Sequence, residues 1–275
     1  MSRFLILVCL SAASAQQREP GKGINFYSLE KEMALGRHLA AEFQRDTKSL
    51  KSPAALAYID AIGQRLAAQI GGPPFPYTFA LVADDPTVVH DVAAFPGGFL
   101  FVPASLLLAV QDQDELAGVL AHAIAHVASR HGARQATTAE LVHITLPVIY
   151  MGGWTGYAIH QAQSLAIPIG LRQMWRKFEL DADRLAASKM AAAGYDPEAL
   201  ARYIDREQAT YDELSQEIFS SLPRRTQRLQ AIHAVIAELP AQVYAPHEGL
   251  DKIQEEVQRL TASLSPVKQP PTLKK

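Results

Sequence analysis

Asp114-Glu115-Leu116-Ala117-Gly118-Val119-Leu120-Ala121-His122-Ala123-Ile124-Ala125-His126-Val127 lies inside the strongest helical signal of the chain, Asp112 to Arg134. Asp112, Asp114 and Glu115 open that span and Arg130 and Arg134 close it, as the helix macrodipole favours. Its mostly apolar surface implies that the helix is buried. His122 and His126 stand four apart, which puts both imidazoles on one face with about 5–6 Å between their Cβ atoms. That spacing lets two rings share one metal ion. Taken alone, it also fits two partly buried core histidines.

Working outward, Arg172 to Ala193 reads as a second helix that stops at Gly194, with Asp196-Pro197 opening the next. It carries Glu179 and, one turn on, Asp183. A carboxylate from a different helix completes a three-ligand open site, and an acid one turn later can hold a ligand imidazole in the right tautomer. The bland alternative for both acids is a solvated helix face. Before this pair the chain predicts helices over Ser28–Gln44 and Ala54–Ile70, then strands over Phe75–Val82 and Gly98–Val102. Asp84-Asp85-Pro86 is the expected turn between the strands, and Pro96-Gly97 leads into the second one. The result is a small sheet set between helices.

Composition bounds the rest. The chain has 275 residues, 48% hydrophobic and 20% charged, with a formal net charge of −2, which is a foldable globular balance and excludes disordered and collagen-like classes. Near-neutral charge without long basic runs gives no footprint for nucleic acid. Met1 to Ala15 reads as a signal peptide, with Arg3, an apolar run from Phe4 to Leu10, and a small-residue exit at Ala13-Ser14-Ala15. The competing reading is a buried first helix. Cleavage after Ala15 removes Cys9, the one cysteine, and suits export to an oxidising periplasm or cell envelope. Leu141 to Leu171 contains no Asp, Glu, Lys or Arg but is broken by prolines and glycines. It reads as a helical hairpin over the core or cleft, or else as a lid or peripheral membrane contact.

The wider context identifies a family. The stretch quoted first, followed by Arg130-His131-Gly132, resembles the metal-binding helix of the zinc endopeptidase family that contains HtpX, the BepA-like periplasmic proteases and the CAAX prenyl endopeptidase, gluzincins with H-E-x-x-H and a distal Glu. Phe178-Glu179-Leu180-Asp181-Ala182-Asp183 resembles the third-ligand motif E-x-x-A-D. Phe95-Pro96-Gly97-Gly98 is similar to the strand-entry motif, and Ser221 to Arg228 to the later S-H-P-x-x-x-x-R segment. The resemblance covers roughly residues 25 to 235. It implies an α+β, mostly helical, thermolysin-like domain over residues 16–250, with a small sheet beside the active-site helix. Residues 251–275 are then a C-terminal helix end and solvated tail. By the same resemblance His122, His126 and Glu179 are zinc ligands, Asp183 orients a ligand, and Arg228, Gly97 and Gly98 belong to the cleft. The implied partner is unfolded or extended polypeptide received at a strand edge.

Two positions depart from the family pattern. The Glu that follows the first histidine takes the proton of the attacking water and passes it to the leaving amine; here that position is Ala123. Leu222 stands where family members commonly have a His able to approach the zinc or the developing oxyanion. A lost general base costs ~10² to 10⁴ in rate and a lost oxyanion donor ~10² to 10³. Glu115 lies two turns before His122, and Asp181 points away from Glu179, so neither replaces the base. Alanine itself is the best helix former, so the fold should not suffer. Metal binding and catalysis therefore come apart. The expected protein is a zinc-binding pseudopeptidase that holds polypeptide, and the alternative is a metalloendopeptidase with another proton relay.

Overall fold

A computed structural model describes residues 25–84, 91–141, 169–214 and 223–264. Three of its helices start at residues whose side chains cap them. Ser28 accepts from Lys31 N to open α1 (Leu29–Asp46), Ser52 accepts from Ala55 N ahead of Pro53 to open α2 (Pro53–Ile70), and Asp112 accepts from Glu115 N to open α4 (Gln113–Ala128). The strands are β1 (Lys48–Ser49), β2 (Thr78–Ala83), β3 (Ala93–Phe95) and β4 (Phe99–Pro103), and a short α3 (Ala104–Ala109) leads into α4. After it come α5 (His131–Leu141), α6 (Ile169–Ala193), α7 (Glu198–Leu214), α8 (Arg225–Ile236) and α9 (Leu250–Leu264). The architecture is α+β and mostly helical, as the sequence implies.

The sheet runs β1-β2-β4-β3, with β2 parallel to β4 and the other two pairs antiparallel. Alternation sends Leu81, Ala94, Leu100 and Val102 to the main core, and Val82, Ala93, Phe95 and Phe101 to a second, smaller one. Helix α1 closes the smaller core through Leu39, Ala40 and Phe43, whose ring lies 4.8 Å from that of Phe101. It sits close because residue 36 is glycine: a Cβ there would overlap the Pro96 carbonyl. On the opposite face α2, α4, α6 and α7 fill the main core. From Glu115 to Ala128 every residue of α4 except His122 is buried, which matches its apolar composition. Helix α9 joins the same core through Leu250, Ile253 and Val257. It is fixed by Gln254, whose amide donates to the carbonyls of Leu107 and Val110 at 2.9 Å each.

The structure differs from the local reading at three places. The helix predicted over Asp112–Arg134 is two helices, because Arg130 takes a left-handed φ of 56°. Residues about a hundred positions away hold it there: Arg130 donates to Glu32 Oε2 and to the Tyr27 carbonyl, each at 2.6 Å. The first long strand starts at Thr78 and not at Phe75, since prolines at 73, 74 and 76 have no N–H to give a ladder. Strands β1 and β3 are two and three residues long, too short to show a period of two. The signal-peptide stretch, most of Leu141–Leu171, Leu222 and the tail from residue 265 lie outside the described residues. Among the described residues no helix is long and apolar enough to cross a membrane.

Candidate metal centre

Helix α4 delivers His122 and His126 one turn apart, and α6, packed along it, delivers Glu179 to the same point. The two Nε2 atoms are 3.1 Å apart; His122 Nε2 lies 3.3 Å from Glu179 Oε2, and His126 Nε2 lies 3.6 Å from Glu179 Oε1. Donors about 2.1 Å from a tetrahedral ion stand about 3.4 Å from one another. The three spacings bracket that value, so two imidazoles and a carboxylate form a ring that can hold a metal ion. Nitrogen and carboxylate donors, three in number, suit an open zinc site.

Behind this ring is a second layer, with Asp183 and His131 buried and Arg228 largely so. Asp183 Oδ1 lies 2.9 Å from His122 Nδ1, and the Asp183 side chain has no exposed surface. Arg228, from α8, clamps the same carboxylate with two bonds, Nε to Oδ2 at 2.8 Å and Nη2 to Oδ1 at 2.7 Å. Arg228 thus reaches the metal ring through Asp183. On the other histidine, His126 Nδ1 faces His131 Nδ1 at 3.2 Å, and the His131 ring stacks on Phe178 with centroids 4.2 Å apart and planes 10° off parallel. Phe178 immediately precedes Glu179.

The charges follow from these neighbours. Burial pulls the His122 imidazole down, but Asp183 and then Glu179 overcome it and push it up to about 9. Burial opposes ionisation of Glu179 and Asp183 as well. The two histidines nonetheless hold Glu179 well below the ordinary range, and Arg228 with His122 lowers Asp183. His131 goes the other way: burial, with His126 and Arg134 nearby, keeps its ring neutral at physiological pH.

Ala123 is buried and borders a small cavity whose wall also includes Asp91, Ala94, Val119 and the two ring histidines. The cavity has room for about one water. Gly97 and Gly98 make the turn between β3 and β4 with φ of 81° and 96°. A side chain at either would press on Met33 or on the Pro76 carbonyl, so their part in the cleft is to set the path of β3 beside α4. Glu115 has no exposed surface and is committed to Arg206 at 2.8 and 2.7 Å and to the Gln111 N–H. Asp181 pairs with Arg184 at 3.4 Å on the outer face of α6.

Asp91 is the acid that sequence reasoning passed over. It precedes β3 and meets the ring from across the cavity, where burial raises its carboxyl against the pull of His122, Arg228 and His126. The signal available was its place five residues before Pro96-Gly97, but a three-residue strand leaves no pattern to show which way that segment faces.

Residues 53–236, about two thirds of the chain, match the model of peptidase family M48. The beta-barrel assembly-enhancing protease of Escherichia coli strain K12 is 27% identical over 215 residues, 74% of this chain and 43% of that protein. Its namesake from Yersinia pestis is 26% identical over 218 residues, with the same coverage of 74% and 43%. The mitochondrial metalloendopeptidase OMA1 of Saccharomyces cerevisiae is 27% identical over 157 residues, 54% of this chain and 44% of that protein. The chain thus spans about two fifths of the length of these relatives. With its two-histidine helix, its distal acid helix and its edge strand all inside the matched residues, the chain belongs to peptidase family M48.

Proposed function

We propose that this chain is a zinc-binding protein of the cell envelope that holds unfolded or extended polypeptide beside its metal ring and hydrolyses it poorly. One observation carries the reading: a complete donor ring stands next to a methyl group. His122, His126 and Glu179 are at coordination spacing, while Ala123, the residue bordering both the ring and the cavity, has no group to move a proton. Zinc held there supplies Lewis acidity to a peptide carbonyl or to water. Asp183, braced by Arg228, keeps the His122 ring in place for it. Ala94 and Val119 give the cavity an apolar wall. Strand β3, which ends the sheet beside β4, is the strand edge nearest the ring and the one the reading assigns to an extended backbone. The missing step is proton transfer from the attacking water to the leaving amine, worth ~10² to 10⁴ in rate.

The leader-like pattern of residues 1–15 supports export, and the names of the bacterial relatives support polypeptides destined for β-barrels as the substrate class. The test compares this chain with Ala123→Glu on an unfolded protein, at equal zinc content determined by elemental analysis. The reading expects stoichiometric zinc in both and efficient cleavage only by the Glu variant. Comparable cleavage by the unmodified chain overturns it.

A second reading has Asp91 in its favour. As a half-buried carboxyl sharing the cavity with Ala123 and both histidines, it is the acid among the lining residues placed to take a proton in the position left by residue 123. In that case the chain is a slow metalloendopeptidase, and Asp91→Asn removes the residual cleavage without removing the metal.

A further inference from the structure

We infer that His131 is the positioning residue that fixes the tautomer of the ligand His126, an imidazole serving where metal sites commonly use a carboxylate or a carbonyl. The inference rests on the metal reading above and concerns what makes that site tight. His126 Nε2 faces His122 and Glu179, so its lone pair is the one a metal takes. The proton of the neutral ring is then on Nδ1, and it needs an acceptor in a buried setting. His131 Nδ1 is 3.2 Å away. To accept, His131 must carry its own proton on Nε2. The two tautomers are therefore locked together.

Three features hold the acceptor in place. His131 is the first residue of α5, directly after the left-handed Arg130, so the helix break is what turns its ring toward His126. Its face lies flat on Phe178, 4.2 Å between centroids. The Arg134 guanidinium lies 4.6 Å from the centre of the Phe178 ring as well. Phe178 and Glu179 are consecutive on α6, so one turn of that helix supplies the third ligand and also braces the partner of the second. Asp183 does the corresponding work for His122, one turn later on the same helix.

Two substitutions separate this role from plain packing. Phe at 131 keeps the stack on Phe178 and loses the acceptor; Asn loses the stack and keeps an acceptor oxygen near the place of Nδ1. Zinc affinity is measured by chelator competition on the full chain, with the visible spectrum of the cobalt-substituted protein as a second readout. His131→Phe is expected to weaken zinc about 10- to 100-fold and His131→Asn to stay within a few-fold of the unmodified chain. The opposite order, Phe tight and Asn weak, assigns His131 to packing and overturns the inference. Nitrogen chemical shifts of the zinc-loaded, unmodified chain test it without any substitution. A protonated Nε2 and bare Nδ1 on His131 support the inference, and the reverse tautomer ends it. If the unmodified chain takes up no zinc, the metal reading fails and this inference falls with it; normal zinc uptake with an indifferent residue 131 sinks the inference alone.

Discussion

The two sides of His122 are built differently. Toward α6 and α8 its neighbours are charged and paired: fully buried Asp183 at 2.9 Å, largely buried Glu179 at 3.3 Å, and Arg228 closing on Asp183 with two bonds. Toward β3 the ring faces a cavity walled mainly by Ala94, Val119 and Ala123, with Asp91 as its one described acid. Burying an acid, a base and an arginine together is costly unless each finds its partner, and here each does. The contrast teaches that the donor ring and the cavity beside residue 123 are built from different contacts, so the proposed loss of a proton carrier on one side leaves the packing of the other untouched.

The largest expected effect strikes the charged side. Glu179→Ala removes the carboxylate donor from the ring and should abolish stoichiometric zinc binding, seen by elemental analysis of the purified chain, while circular dichroism stays helical; retained zinc would show that the donors are elsewhere. On the empty side, Ala123→Glu should raise cleavage of an unfolded protein by ~10² to 10⁴ with zinc affinity nearly unchanged. Next comes the arginine that never touches the ring. Arg228→Met leaves Asp183 buried without its partner, at a cost of about 3–5 kcal/mol in a urea titration, and a loss under 1 kcal/mol would mean that water already reaches the pair.

Smaller again is Asp183→Asn, expected to weaken zinc about 10- to 100-fold by freeing the His122 ring. The same variant gives a pH signature in the metal-free protein. Asp183 is held below its ordinary range, chiefly by Arg228 against the opposing effect of burial. Its contribution to stability is therefore complete above about pH 4 and is lost as pH falls through the lowered value. The stability gap between the unmodified chain and Asp183→Asn should be widest between about pH 4 and 6.5, close in acid as Asp183 takes up its proton, and narrow again toward about pH 9 as His122 loses the charge that Asp183 supports. A gap that widened in acid would reverse the assignment. The mildest effect is expected far from both sides, at the clamp that breaks the helix: Glu32→Gln keeps a hydrogen bond to Arg130 but loses its charge, for about 1 kcal/mol.

Much of the site was legible in the chain because helical periodicity is local. A step of four from His122 to His126, and again from Glu179 to Asp183, puts each pair on one face whatever the rest of the fold does. The resemblance then placed the two helices together, and α4 against α6 is how they pack. Asp91 and His131 stayed hidden for a common reason. Each reaches the ring across a turn whose direction is set by distant partners: the Pro96-Gly97-Gly98 turn lies against α1, and Arg130 is held left-handed by Glu32 and Tyr27.

The sequence by itself determined the helices, the spacing of the donors on each, and the absence of a carboxylate at 123, since these depend on a few consecutive residues. Only the tertiary structure decided that Arg228 acts on Asp183, that His131 faces His126 on a bed of Phe178, and that Asp91 shares a cavity with Ala123. Those contacts join residues up to 47 positions apart, and what selects them is burial: a polar group taken out of water must find whichever partner the packed helices and edge strand bring within reach.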